Sequence, residues 1–90
     1  MNIRKKAAAL LSAWEREGGF ANLMLTDAVL EEAGEESAAL TALFYGTVER
    51  KLSLDFAIAT LSGRSISEIA PHTKQLLRLG LYQIYFMDTP

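Results

Sequence analysis

Arg4, Lys5 and Lys6 follow one another at the start of this chain, and five more cations, Arg50, Lys51, Arg64, Lys74 and Arg78, dominate its second half. Side chains of this type hold phosphate groups. Arg4, Lys5 and Lys6 also fall at the predicted N-terminus of a helix, where unpaired backbone N–H groups favour the same kind of ligand. Their charge opposes the helix dipole and weakens that helix slightly. A local cost of this sort suggests a role in binding, against the simpler reading of a solvated basic face. Contacts of this type position a phosphate backbone and carry little sequence information.

Catalytic chemistry finds less to work with. His72 is the single histidine; it lies in the first turn of a predicted helix, without cysteine or a second histidine at ligand spacing. A surface histidine is the expectation, not a metal ligand or a general base. There is no cysteine, which excludes a disulfide, a thiol nucleophile and a thiolate metal site. Asp55 and Glu68 read as helix-start residues, not as an acid/base pair. Trp14, Phe44, Tyr45, Tyr82, Tyr85 and Phe86 read as core and not as stacking platforms. Tyr45 is the least settled of them, because Gly46 follows it and Arg50 and Lys51 come about one turn later. No glycine-rich strand–loop–helix for a nucleotide cofactor is present.

The elements that must position these side chains read as helices. Ile3, Ala7, Leu10, Leu11 and Trp14 share one face of a helix from about Ile3 to Glu17, stopped by Gly18 and Gly19. A second helical segment covers about Ala21 to Ala33, with a break near Leu25 and a restart at Thr26 or Asp27. A third runs from Glu36-Ser37 to about Lys51, with Ala39, Leu40, Leu43, Phe44, Thr47 and Val48 inward. Ser53 is the predicted N-cap of a fourth, with Asp55 in its first turn. Ser65 and Glu68 suggest a capping box over one turn, and Pro71 suits the first turn of the last helix. That helix is apolar on most of its circumference from Leu76 to Met87, which predicts that other helices surround it.

Ninety residues make one domain at most, and half of them are hydrophobic. The net charge of −2 does not suggest a strong polyanion binder. The basic start followed by apolar residues mimics a signal peptide, but Glu15, Arg16 and Glu17 interrupt it. No segment approaches the roughly 18–20 uncharged apolar residues of a membrane span, so no membrane partner is expected. The lack of cysteine is compatible with a cytoplasmic location. Gly46 and Gly80 each cost about 1 kcal/mol inside a helix. Close backbone approach is the favoured reason, with the third and last helices expected to cross near these two positions.

"ALFYGTVERKLSLD" followed by "LLRLGLYQIYFMDTP" resembles the NusB-like helical domain, and "NIRKKAAALLSAW" is similar to its basic first helix. The resemblance covers essentially the whole chain. It implies an all-α, NusB-like helical bundle of about five helices, a single domain over 1–90. In the family the terminal proline introduces further helices, so the bundle is expected to be C-terminally truncated at Pro90. Two branches share the domain: transcription antitermination factors, and the N-terminal domain of RsmB-type methyltransferases that make 5-methylcytosine in small-subunit ribosomal RNA. Gln83 after Tyr82, and Tyr45-Gly46 leading to Arg50, look more like the methyltransferase branch.

The resemblance implies ribosomal RNA as partner. It places Arg4, Lys5 and Lys6 first on the RNA surface, with Arg50, Lys51 and Arg78 as additions from the motif helices. The cytosine chemistry needs a cysteine thiolate and a fold that binds the methyl donor. These ninety residues are therefore expected to be non-catalytic and without a cofactor of their own, S-adenosylmethionine belonging to a parent enzyme. The alternative is a protein-interaction module, with a ribosomal protein as partner. Exposure of the last helix in a truncated bundle predicts self-association, as a symmetric dimer.

Overall fold

The computed structural model describes residues 2–87, and every regular element among them is helical. The helix expected to open at Pro90 lies outside the described residues. Five α-helices follow in order: α1 (Ile3–Arg16), α2 (Asp27–Ala33), α3 (Ser37–Glu49), α4 (Lys51–Ser62) and α5 (Pro71–Phe86). Short 3-10 turns occupy Ala21–Leu23, Gly34–Glu36 and Ile66–Glu68.

The helix boundaries follow local chemistry. The Asn2 side chain caps α1 by accepting the Lys5 N–H at 3.0 Å. Gly18 and Gly19 end it at φ 93° and 82°, a region that costs a side-chain-bearing residue steric strain. Thr26 caps α2 by accepting the Val29 N–H at 3.2 Å, so the segment breaks near Leu25 as its pattern predicts. Pro71 stands in the first turn of α5, where its missing N–H has no intrahelical partner to lose.

Two predicted caps are corrected. Ser53 is not an N-cap; it lies inside α4, which begins at Lys51 after a single joint residue, Arg50. The Arg50 carbonyl accepts the Leu54 N–H at 2.9 Å, so backbone alone closes the first turn. Ser65 forms no capping box: its hydroxyl pairs with that of Ser67 at 2.9 Å, and the turn closes through the Glu68 N–H on the Ser65 carbonyl.

α1 lies against both α3 and α5, and α4 packs on α5. Ala7, Ala8, Leu10, Leu11 and Trp14 of α1 meet Leu40, Leu43 and Phe44 of α3 and Leu79 of α5 in one buried cluster. Burying the leucines and Phe44 of this cluster contributes about 1.5–3 kcal/mol each before chain entropy is counted. The last helix is not surrounded. Gln75, Arg78 and Leu79 are buried, whereas Ile84 is 74% and Tyr85 59% exposed. The neighbouring helices cover one side of α5 and leave the other apolar side to solvent. On α4, Leu52 and Phe56 are exposed as well, four residues apart on one face.

The two helix-interior glycines do not face each other. Gly46 of α3 packs on Tyr82 of α5, whose hydroxyl and ring edge fill the space that a Cβ would take. A Cβ at Gly80 would meet nothing within 4 Å. The helices therefore cross on Gly46 and Tyr82, and the expected close approach at Gly80 is overturned.

Candidate nucleic-acid interface

Arg78 is corrected first among the expected RNA contacts, because it is 1% exposed. Its Nε and one terminal amino group donate to the two carboxylate oxygens of Asp55 at 2.7 and 2.9 Å. Its other terminal amino group donates to Glu15 at 2.8 Å and to the Gln75 carbonyl at 3.0 Å. This planar fork ties α5 to α4 and α1. Burial alone would lower the pKa of the guanidinium; the hydrogen bonds and charges of Asp55 and Glu15 outweigh it and hold the pKa above its ordinary value. Burial likewise pushes both carboxyls up. Arg78, with Lys74 on Glu15 and Lys51 on Asp55, outweighs that and holds both below the usual carboxylate range. No face of Arg78 is left for a phosphate. Asp55, expected to serve a helix start, is its main partner.

Lys51 is also turned inward. It is half-buried, and its ammonium lies 3.0 Å from Asp55. The remaining cations point elsewhere. Arg4 is exposed and donates through Nε to Gln83 of α5 at 3.0 Å. Lys5 beside it is exposed, and half-buried Lys6 lies 3.8 Å from Glu32. Arg50, exposed at the α3–α4 joint, sets its guanidinium 4.2 Å from the centre of the Phe86 ring. That is cation–π geometry. Arg4 and Arg50, 46 positions apart in sequence, are thus both anchored on the last turns of α5, through Gln83 and Phe86.

The aromatic residues divide accordingly. Trp14 and Phe44 are core as expected, and Tyr45 and Tyr82 are half-buried against it. Tyr85 and Phe86 are not core. Both are exposed; Phe86 stacks on Tyr82 with centroids 5.8 Å apart and meets Tyr85 edge-on at 6.5 Å. They add flat apolar surface beside the cations, of the kind on which unstacked bases lie. Gln83, Tyr85 and Phe86 are the positions that the basic clusters alone could not reveal. The i, i+3 spacing of Gln83 and Phe86 was the available signal, since it makes them neighbours on one face.

Two clefts flank the N-terminus of α1. One, of about 420 Å³, lies between α1, α3 and the end of α5 and has Arg4 and Gln83 at its edge. The other, of about 310 Å³, carries Lys5 and Lys6. Asn2 borders both. His72 is exposed. Among the described residues there is no cluster of three or more potential metal ligands, and no helix is long and apolar enough to cross a membrane.

Comparison with known proteins agrees with this architecture. Over 89 residues the chain is 29% identical to the probable ribosomal RNA small subunit methyltransferase B of Bacillus subtilis (strain 168), covering 97% of this chain and 20% of that protein. It is 30% identical over 90 residues to the transcription antitermination protein NusB of Xanthomonas axonopodis pv. citri (strain 306), covering 97% of this chain and 57% of that one. The NusB protein of Stenotrophomonas maltophilia (strain K279a) matches at 29% with the same coverage. The chain therefore spans a fifth of the methyltransferase's length and a little over half of the antitermination proteins'. No solved structure matches it. The NusB family matches residues 1–90 in full, and this all-α chain belongs to that family.

Proposed function

We propose that this domain binds single-stranded or looped ribosomal RNA through Arg4, Lys5, Lys6 and Arg50, with Tyr85 and Phe86 as stacking surface. The observation that carries the reading is the gathering of Arg4 and Arg50 on neighbouring positions of α5, next to exposed aromatic rings. Lys5 and Lys6 supply phosphate contacts along the adjacent turn. With so few cations, affinity is modest and falls steeply with salt. The test is fluorescence anisotropy with ribosomal RNA fragments. Lys5→Glu is expected to weaken binding by about tenfold and to reduce the salt slope by about one phosphate contact. Lys6→Glu costs less, since Glu32 already engages that side chain. Binding unchanged by Lys5→Glu and Arg4→Glu together would dismiss the reading.

The domain serves, in this reading, as the accessory RNA-binding part of an S-adenosylmethionine-dependent methyltransferase that makes 5-methylcytosine in small-subunit ribosomal RNA. Gln83 supports that branch, because its neutral amide oxygen accepts from Arg4 and leaves the arginine's charge available to RNA. In this reading the domain contributes RNA binding, and the thiolate and the methyl-donor site belong to the parent enzyme; the lack of cysteine in these ninety residues supports that division. One observation favours a second reading, an antitermination-type module that binds a ribosomal protein: the exposed apolar residues Leu52, Phe56 and Ile84. Deleting the gene and mapping 5-methylcytosine in small-subunit ribosomal RNA separates the two. Loss of a methylated site supports the methyltransferase branch; full methylation with defective read-through of a terminator reporter supports the second.

A further inference from the structure

We propose that α4 exchanges between two copies of this chain: it leaves its own bundle and packs on α5 of the second copy, with α3 and α4 joined into one straight helix from Ser37 to Ser62. The joint between them is unlike the other helix ends. Gly18, Gly34 and Gly63, all at positive φ, stand at the ends of α1, α2 and α4. α3 ends at Arg50 with φ −103° and ψ 11°, short of helical values by roughly 40–55° and on the same side of the φ/ψ map. No glycine or proline lies between Gly46 and Gly63, and Glu49, Arg50, Lys51 and Leu52 are all good helix formers. The helical ladder stops with the Arg50 N–H on the Gly46 carbonyl at 3.2 Å and restarts with the Leu54 N–H on the Arg50 carbonyl at 2.9 Å. Between them lie the amides of Lys51, Leu52 and Ser53, the first of α4, and the Arg50 side chain does not cap them. A straight helix would seat these three on the carbonyls of Thr47, Val48 and Glu49.

What α4 carries with it is self-contained. Its buried side chains, Leu54 and Ile58, stand outside the core cluster that α1, α3 and α5 share. Its polar hold is the Asp55 carboxylate on Arg78 of α5. The α5 of a second copy offers the same surface, so exchange breaks these contacts and remakes them between chains. The straight helix also gives something that the closed fold lacks. Along it Tyr45, Val48, Leu52 and Phe56 fall on one stripe, at i, i+3, i+7 and i+11. Tyr45 and Val48 are half-buried against the core, whereas Leu52 is 82% and Phe56 74% exposed. Two straight helices meeting about a two-fold axis cover this bare half on each other. The contact of Arg50 with Phe86 opposes the exchange, because it holds the joint on the end of α5.

The test mixes two variants of the full chain, Asp55→Leu and Arg78→Met. Each alone leaves a charge without its main partner. Unfolded in urea and refolded together at high concentration, they are expected to form a one-to-one dimer. One α4–α5 contact in it keeps the native pair and the other is apolar on both sides, so its unfolding midpoint exceeds that of either variant alone. Association that leaves α4 in place gives no such rescue, since each chain keeps its own mismatch. If a variant does not fold alone, recovery of helix on mixing is the readout. A second measurement addresses the joint. Inserting Gly-Ser-Gly after Arg50 permits the bend and interrupts the straight helix, and is expected to weaken the dimer of the otherwise unaltered chain by roughly tenfold or more in light scattering. A mixture that unfolds as its two components do overturns the proposal, as does a dimer that the insertion leaves at full strength. A chain that stays monomeric after concentrated refolding overturns it too, and leaves Leu52 and Phe56 to a different protein.

Discussion

Asp55→Ala is the most informative single change, because it separates a buried anchor from a surface ion pair. Asp55 takes two of the four hydrogen bonds that Arg78 makes to side chains, and its own side chain is 12% exposed. Removing one partner of a buried pair costs about 3–5 kcal/mol, since the other charge stays buried without compensation. Glu15 remains against Arg78 in the variant, which puts the expected loss at the lower end, about 3 kcal/mol. A domain of this length has roughly 5–13 kcal/mol in total, so the loss is a large share. With a urea slope of about 1–1.5 kcal/mol per molar, the unfolding midpoint falls by roughly 2–3 M. Glu15→Ala is the internal comparison. Its side chain is 29% exposed, so its loss costs about 1 kcal/mol. Replacing the pair together, Arg78→Met with Asp55→Leu, is expected to recover most of the stability. The reasoning is refuted if Asp55→Ala costs less than 1 kcal/mol, or if Glu15→Ala costs more than Asp55→Ala.

Three further outcomes are expected. Glu15 and Asp55 have pKa values lowered by folding, so the unfolded chain takes up protons first as pH falls. Their contribution is complete above about pH 5 and drains away below it, and urea midpoints from pH 7 to 3 should show a slope that Asp55→Asn flattens. Gly46→Ala forces a Cβ into the Tyr82 ring and should destabilise by about 1–3 kcal/mol, whereas Gly80→Ala meets open space and should stabilise by about 1 kcal/mol; thermal melts of both decide, and equal effects would contradict the crossing described. The domain should self-associate through the apolar face around Leu52 and Phe56, so light scattering at rising concentration is expected to show a dimer that Phe56→Lys disperses. A monomer at every concentration counts against that face as a contact surface.

Local signals in the sequence were reliable where the cause is local. The α1 stripe, the stop at Gly18 and Gly19, the restart at Thr26 and the entry at Pro71 each depend on a few adjacent residues. The failures share the opposite property. Arg78 on an apolar helix reads as a charged head reaching water, because its carboxylates lie 23 and 63 positions away and only packing brings them in. Ser53 looks like a cap because serine often is one, but the joint at Arg50 is too short to need it. Tyr85 and Phe86 carry the same apolar signature as buried rings, and their exposure depends on which side of α5 the other helices leave uncovered. The basic residues divided for the same reason: Arg4 and Lys5 stay on the surface, whereas Lys51 and Arg78 turn inward toward carboxylates that a linear pattern does not pair.

The contact between Gly46 and Tyr82 also bears on how such a chain can change over time. Two positions 36 apart share one volume, so a larger residue at position 46 has to be accommodated at position 82. A descendant that gains a Cβ at position 46 must move or shorten the side chain at position 82, and phenylalanine in the same placement still meets that Cβ through its ring edge. Across related sequences the pair should therefore vary as a unit, and its state would report how deeply α3 and α5 sink into each other.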